Sequence, residues 1–195
     1  TRRFEAHYQA NCQAHDFGVN MTGVYVTLVS GFVDLFGWNM LLLAAGTDQE
    51  RFGALANRYA GWVQQYFDAL GEADVPVVMV HDDIVWASGP ILNPAWYRQY
   101  VFPNYKRYFA PLLESGKKIM FCSDGNFDQF VDDIADTGVH GFVFEPLTDL
   151  AAIVAPFLAP YTETSRFTRN IYMPPQRVYL LNEGREILHE LANLE

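Results

Sequence analysis

Short apolar runs alternate with longer amphipathic segments along most of this chain. The runs at 23–31, 76–81, 118–122 and 141–145 have the length and the β-branched and aromatic content of buried strands. Apolar residues at helical spacing fill the stretches between them. The resulting β-α-β-α order predicts a parallel sheet with right-handed crossovers, either an open doubly wound sheet or part of a (β/α)8 barrel.

The first half of the chain carries three helix signals. The segment from about Phe4 to Ala14 is weakly helical, and residues 33–43 are apolar enough for a short buried helix. Thr47 is followed by Glu50 at the spacing of a capping box, which predicts the start of a long amphipathic helix. Apolar residues keep the helical period from there to the turn that begins at Gly71.

Another helix is predicted to begin at Asn93. Asparagine caps free N–H groups, and Pro94 in the first helical position loses no hydrogen bond. The apolar pattern continues to about Ser115. Because Pro103 and Pro111 fall inside it, a kink or break is expected at one or both.

The last third of the chain has weaker signals. Asn126, in a second capping-box pattern, predicts a helix that runs to about Thr137, and Thr148 predicts the cap of another helix that fades near Pro156. Residues 158–175 fit neither the helical nor the strand period. The tail from about 178 to 194 has the pattern of a final helix.

Composition favours a soluble, enzyme-like single domain over residues 1–195. The sequence is 50% hydrophobic and 15% aromatic, which is ample for a buried core. Its formal net charge is -10 and its Lys and Arg residues form no cluster beyond short pairs, so neither nucleic-acid nor anionic-membrane binding is expected. Two cysteines suggest no disulfide framework, and with no signal peptide or bilayer-length apolar run recognised, a cytoplasmic location is expected.

Chemically capable side chains follow three of the predicted strands. His81-Asp82-Asp83 ends one strand, the turn 122–126 ends the next, and Glu145 ends a third. In parallel α/β folds the carboxyl ends of the strands share one edge, where ligands bind. We therefore expect His81, Asp82 or Asp83 to be catalytic, with a hydrogen-bonded pair of loop acids as the alternative.

Side-chain alternation divides these residues between the two faces of the sheet. His81 and Asp83 should share one face, while Asp82 should point to the other and bind backbone or solvent. Cys122 and Asp124 should likewise share a face and, with Glu145, could hold a divalent metal. The alternatives are a buried cysteine that packs as a small hydrophobe and an Asp-Gly-Asn turn.

Four residues are candidates for substrate binding. Phe32, Trp38 and Trp86 could wall an apolar or aromatic pocket, although each could also be a core residue. Asn126 is the fourth, with a helix cap as its alternative role.

Several of these features together resemble the uroporphyrinogen decarboxylase superfamily. They are Asp82-Asp83 after a strand, Gly89-Pro90, Asn93-Pro94 in place of the usual Ser-Pro, Tyr97-Arg98 and Pro103 in a helix, the turn 123–126, and Glu145-Pro146. The resemblance spans roughly residues 24–157. It implies a (β/α)8 barrel with the active site at the carboxyl face. Since such a barrel needs about 250 residues, the chain is expected to be partial, with segments missing before residue 1 and around 158–175.

The resemblance implies three functions. The preferred one is a methyltransferase that moves a methyl group from a small substrate, such as an aryl methyl ether, to a corrinoid (cobalamin) carried on a separate protein. The others are a decarboxylase of the porphyrinogen type, which needs no cofactor, and a member that binds a small molecule without catalysis. The number of subunits stays open, with a homodimer as one expectation.

Zinc is also implied by the methyltransferase branch, through a His-x-Cys motif at the position of Cys122-Ser123-Asp124. Here Cys122 replaces the histidine and Asp124 replaces the cysteine. A further cysteine that precedes the last helix in that branch has no counterpart near residues 170–172. The altered motif supports the function without catalysis.

Overall fold

The protein was described from a computed structural model that covers residues 1–15, 19–145 and 147–149 with their side chains, and 168–172 and 177–181 as backbone. The α-helices are α1 (Arg2–Ala14), α2 (Val29–Thr47), α3 (Gln49–Glu72), α4 (Pro94–Trp96), α5 (Phe102–Glu114) and α6 (Val131–Ala135). The strands are β1 (Thr22–Val24), β2 (Val77–His81), β3 (Val85–Trp86), β4 (Gly89–Pro90), β5 (Lys118–Ser123), β6 (Gly141–Phe144), β7 (Thr168–Tyr172) and β8 (Arg177–Leu181).

A six-stranded sheet in the order β1-β2-β5-β6-β8-β7 forms the centre of the fold. The first four strands are parallel, and β8 and β7 are antiparallel to their neighbours. His81 pairs with Cys122, which pairs in turn with Val143, so the carboxyl ends of β2, β5 and β6 are level. The predicted parallel α/β architecture is confirmed. Closure into a (β/α)8 barrel stays a prediction, since the described strands form an open sheet.

The two faces of this sheet differ in what covers them. Alternate residues such as Val80, Phe121 and Phe142 belong to the large core shared with α2, α3 and α5. On the opposite face the other set forms a smaller apolar cluster: Val77, Met120, Cys122 and Val143, with Met21 and Met79 at its margin. Because strand residues alternate, His81, Asp83 and Asp124 continue this second face beyond the apolar cluster.

The first strand is shorter than predicted. We expected a strand over 23–31, but β1 ends at Val24 and α2 already begins at Val29. The apolar, β-branched residues favour a strand, but the carboxyl group of Asp82 accepts hydrogen bonds from the N–H groups of residues 28–30 and so stabilises a helix start there. A contact from a distant part of the chain overrides the local pattern.

Helix α2 is longer and less buried than predicted. It extends to Thr47, with a non-helical Gly37 (φ 69°) inside it. Its exposed apolar residues are Leu35, Phe36, Trp38, Met40, Leu42 and Leu43. Contrary to the sequence expectation, this helix is apolar and long enough to cross a membrane by length and composition, a property that core helices share.

The helix starts follow the capping logic with one shift. Asp48, not Thr47, caps α3, since its Oδ1 accepts from the Arg51 N–H at 3.0 Å, while the Thr47 hydroxyl donates to the Leu43 carbonyl. Asn93 caps α4 as predicted, with its Oδ1 2.9 Å from the Ala95 nitrogen. Aspartate and threonine are both good caps, so the sequence alone did not separate the two neighbours.

The predicted break near Pro103 is confirmed. One turn of π-helix, Tyr97–Val101, lies between α4 and α5, just ahead of this proline. Proline cannot donate the usual backbone hydrogen bond, and a widened turn accommodates that loss. Pro111 lies inside α5, which continues past it to Glu114.

The later elements differ more from the sequence expectations. The segment after Asn126 forms a 3₁₀ turn, Asp128–Phe130, and the short α6, which ends before the predicted Thr137. Part of the region 158–175 forms β7, and β8 occupies the start of the predicted tail helix, where the open edge of β6 provides backbone partners. The rest of that tail, and the helix predicted after Thr148, lie outside the described residues.

Candidate active site at the carboxyl edge of the parallel strands

His81, at the end of β2, is a buried imidazole held in one orientation. It is 2% exposed, its Nδ1 lies 2.9 Å from the Tyr25 carbonyl, and the Tyr25 ring stacks on it at 4.1 Å. Because a carbonyl oxygen only accepts, Nδ1 carries a proton and donates it. Nε2 is therefore the atom of the ring that is left for chemistry.

Nε2 of His81 has no hydrogen-bond partner among the described residues. Its nearest acidic contact is Oδ1 of Asp83, at 3.3 Å but outside hydrogen-bond geometry. Burial acts to lower the pKa of this imidazole, but the Asp83 carboxylate, the Tyr25 carbonyl and Asp82 outweigh it, so the pKa of His81 lies above its ordinary value.

Asp82 points to the opposite face of the sheet, as the alternation predicted. Its carboxyl group is 0% exposed and accepts from the backbone N–H groups of Leu28, Val29 and Ser30 at 2.7–3.0 Å. The Tyr105 hydroxyl donates to it at 2.6 Å. Every one of these contacts is structural: Asp82 fixes the start of α2 to the end of β2. A catalytic role for Asp82 stays a prediction, and none of these contacts supports it.

Asp83 returns to the face of His81. Its backbone N–H donates to the Ser30 hydroxyl at 2.8 Å, and its Oδ1 accepts from the Asp124 N–H at 3.0 Å. The side chain is 41% exposed, so it is reachable from solvent. Asp83 thus links the ends of β2 and β5.

Donor atoms of His81, Asp83 and Asp124 all lie within 4.8 Å of one another. An imidazole and two carboxylates from neighbouring strand ends therefore meet at one point. Two of them come from the predicted catalytic set and the third, Asp124, from the predicted metal set. Such a set can move a proton or hold a divalent cation. We refer to these three residues as the strand-end triad.

The turn that carries Asp124 requires a glycine. Gly125 has φ +85°, and a Cβ there would lie 2.8 Å from the Trp86 carbonyl oxygen. The Asn126 N–H donates to that same carbonyl at 3.0 Å. The β3–β4 hairpin therefore packs directly on the turn and holds Asp124 in place.

The predicted metal set of Cys122, Asp124 and Glu145 is not the set that the structure brings closest. Of these three, only Asp124 belongs to the triad. Cys122 is 1% exposed within the small apolar cluster, and Oε2 of Glu145 accepts from the Gly125 N–H at 3.3 Å. The alternation placed Cys122 on the correct face. However, Cys122 lies two residues before Asp124 along the chain, within the apolar cluster, where apolar side chains surround it. Glu145 lies beside the triad and supports its turn.

The three aromatic residues expected to bind substrate lie in two different places, one buried and one exposed. Phe32 is 1% exposed and packs against Phe52 and Tyr59. This is the location of a core residue and differs from the expected pocket wall. Trp38 and Trp86, in contrast, are 40% and 45% exposed and their rings lie 5.9 Å apart. Trp86 adjoins the turn of Asp124 through its backbone carbonyl, which accepts the Asn126 N–H at 3.0 Å.

Asn126 takes the capping alternative. Its Oδ1 accepts from the Asp128 N–H at 3.2 Å, and its amide donates to the Leu147 carbonyl at 2.9 Å. The side chain therefore ties the turn after β5 to the segment after β6. Substrate binding by Asn126 stays a prediction.

Sequence reasoning missed the loop that surrounds the His-Asp-Asp run. The Tyr25 carbonyl accepts a hydrogen bond from His81, and the Tyr25 ring stacks on the imidazole. The Thr27 hydroxyl donates to the His81 carbonyl at 2.9 Å, and the Ser30 hydroxyl accepts from the Asp83 N–H. A strand was expected here, so these side chains were assigned to a sheet. The Ser-Gly pair at the end of that run was the available sign of a turn.

Positive charge is sparse around the triad. Arg98 forms an ion pair with Asp133 at 2.9 Å and lies over the Phe130 ring at 5.8 Å. Arg2 and Arg3 line a surface cavity that also includes Tyr25, whose ring stacks on His81. In the described part of the chain, the side chains that project beyond the strand ends are mostly acidic. This edge of the sheet suits a neutral or cationic ligand better than a polycarboxylate.

Residues 27–164, more than half of the chain, match the family model of uroporphyrinogen decarboxylase (URO-D). The chain belongs to the uroporphyrinogen decarboxylase superfamily. The match includes the whole strand-end triad, the tryptophan pair and the Asp82 anchor. No curated protein and no solved structure gives a significant match.

Members of the uroporphyrinogen decarboxylase superfamily are mostly enzymes. The sequence match establishes that this chain is a member, and the parallel sheet agrees with that assignment. Family membership alone does not choose between reactions, because one fold carries several chemistries. The choice depends on the side chains at the strand ends.

Proposed function

We propose that this protein is a methyltransferase of the superfamily, which moves a methyl group from a small substrate to a corrinoid carrier on a partner protein. The supporting observation is the pairing of an acidic strand-end triad with an exposed tryptophan pair. The tryptophans offer apolar faces to a methyl donor, either an aryl methyl ether or a methylated amine. The triad offers groups that can act on the departing oxygen, nitrogen or sulfur.

The geometry suggests a separate role for each nitrogen of the His81 ring. Nε2 of His81 faces Asp83 and Asp124, while Nδ1 is bound to the Tyr25 carbonyl. A positive centre at Nε2 would neutralise the charge that develops on the leaving group as the methyl group departs. The corrinoid, when bound by its own protein, would supply the cobalt nucleophile. The chain itself orients the donor.

The second candidate is decarboxylation of a porphyrinogen. Superfamily membership is the observation that favours it. Substrates of that kind carry several carboxylates, which would approach Asp83, Asp124 and Glu145. Like charges at this edge would repel them, and the Arg98 guanidinium is already paired with Asp133. For this reason we rank methyl transfer first.

The test is turnover of the purified chain with free cob(I)alamin. Candidate donors are aryl methyl ethers, methylamines and methanol, and formation of methylcobalamin is followed by absorbance. One donor class should react. Asp83→Asn should slow the reaction more than about 100-fold, because a group that acts on the leaving atom contributes at least that factor, with an unchanged melting temperature. Asp68→Asn, an exposed acid on α3, is the matched control.

Three results would contradict the proposal. Release of carbon dioxide from a porphyrinogen, without methyl transfer, would assign the decarboxylase reaction. Binding of a donor with no turnover, also in the presence of a corrinoid protein, would assign a function without catalysis. Full activity of Asp83→Asn would remove the triad from the reaction.

A further inference from the structure

The geometry points to a divalent transition-metal site formed by Nε2 of His81 and the carboxylates of Asp83 and Asp124. This site deepens the proposed function, since it defines what carries positive charge at Nε2. It differs from the predicted set, because Cys122 and Glu145 are not among its ligands. Its existence does not depend on which reaction the protein catalyses.

The first argument is the state of His81. The ring is 2% exposed, and Nε2 has no hydrogen-bond partner within the described residues. A buried nitrogen without a partner is unfavourable unless another group binds it. The Nδ1–H donates to the Tyr25 carbonyl at 2.9 Å, which directs the lone pair of the neutral ring to Nε2. Histidine ligands in metal sites are held in this way by a carbonyl or carboxylate.

The second argument is distance. The three donor atoms lie within 4.8 Å of one another, and Nε2 is 3.3 Å from Oδ1 of Asp83. Bonds of about 2.0–2.2 Å place two ligands of one ion about 3–4 Å apart. The contact between Nε2 and Oδ1 is not a hydrogen bond, although it is short. A separation of this length fits two ligands of one ion.

The third argument is charge and ligand type. A neutral imidazole and two carboxylates carry two negative charges, which a divalent ion would neutralise. One nitrogen and two carboxylate oxygens suit zinc, manganese, iron or cobalt, whereas calcium and magnesium prefer oxygen alone. Asp83 is 41% exposed, so an ion and a substrate atom could both reach the site from solvent.

Second contacts hold the ligands in position. Asp124 follows Ser123, whose Oγ accepts from the Ile84 N–H, and precedes Gly125, whose N–H donates to Glu145. Asp82 anchors the start of α2 and, through it, the loop that carries Tyr25. The site is thus supported by four segments of chain that are distant in sequence.

Metal binding by the purified chain tests this inference. The chain is treated with chelator, incubated with Zn²⁺ and desalted, and its metal content is measured by mass spectrometry. We expect one zinc per chain. Asp124→Asn and Asp83→Asn should weaken binding more than about 100-fold, the upper range for loss of a supporting contact alone. Cys122→Ser and the control Asp68→Asn should stay within about threefold of the parent chain.

Substitution with Co²⁺ identifies the ligands without any assay of activity. A site of nitrogen and oxygen ligands should show visible d–d bands and no intense sulfur-to-cobalt band. If the intense band appears and is lost in Cys122→Ser, the predicted cysteine set is correct and the triad is not the site. If the desalted chain retains no zinc or cobalt, the inference is overturned, while methyl transfer can still be tested independently.

Discussion

Asp82 and Asp83 are neighbours in sequence and opposite in role. Asp82 is buried on the helix-covered face and accepts hydrogen bonds from three backbone N–H groups and the Tyr105 hydroxyl. Asp83 lies on the other face, 41% exposed, beside His81 and Asp124. The pair shows that one strand end can secure the scaffold with one carboxylate and present the other to a ligand.

The same division holds for the aromatic residues. Phe32 lies within the large core on the helix-covered face, while Trp38 and Trp86 contact each other at the surface. Burial of Asp82 and Phe32 gives stability, and exposure of Asp83, Trp38 and Trp86 leaves their side chains available for binding. Substitutions of the two groups should therefore have opposite signatures, with loss of stability for the buried residues and loss of binding for the exposed ones.

The largest loss of stability is expected for Asp82→Ala. It leaves the N–H groups of residues 28–30 and the Tyr105 hydroxyl without their acceptor, so the free energy of unfolding should fall by about 4 kcal/mol. Asp83→Ala should cost no more than about 1 kcal/mol, since its side chain is partly exposed. Urea unfolding measures both. Equal losses for the two variants would refute the division between the faces.

Phe32→Ala should have the next largest effect. Removing a ring that is 1% exposed leaves a cavity among Phe52 and Tyr59, which costs about 3 kcal/mol. Trp38→Ala should change stability by less than about 1 kcal/mol and instead weaken binding of the methyl donor. Thermal unfolding and a donor titration separate the two. If Phe32→Ala unfolds like the parent chain, its place in the core is wrong.

The smallest effects concern two tyrosines of α5. Tyr105 donates to Asp82, and burial, followed by that carboxylate, raises the pKa of the Tyr105 hydroxyl well above its ordinary value, so it keeps its proton. Tyr105→Phe should lower stability by about 2 kcal/mol. The Tyr108 hydroxyl is buried and has no hydrogen bond to any described residue, so Tyr108→Phe should be neutral or stabilising. Chemical denaturation of both variants checks this, and a greater loss in Tyr108→Phe would contradict it.

Much of the site could be predicted from local pattern. Apolar runs that end in His81, Cys122 and Phe144 predicted the parallel strands. Because the carboxyl ends of these strands share one edge, His81, Asp83 and Asp124 lie close together. Alternation along a strand also separated Asp82 from Asp83. These inferences depend on the period of two in a strand and on the level ends of parallel neighbours, both of which are visible in a sequence.

The metal set and the loop 25–30 could not be predicted in the same way. The depth of Cys122 depends on which side chains from β2 and β6 lie beside it. The end of β1 depends on a carboxyl group more than fifty residues away, at Asp82. Neither fact has a signal within a short window of sequence, since both arise from packing between distant segments.

The sequence by itself determined the order of the four parallel strands along the chain, the face of each strand-end residue and the superfamily. The tertiary structure alone decided which potential ligand atoms lie close together and which carboxylate is already hydrogen-bonded to backbone N–H groups. The physical reason is the distance along the chain over which each effect acts. Propensity and alternation act over a few residues, whereas the state of a buried imidazole or carboxylate depends on every group that folding brings within hydrogen-bond distance.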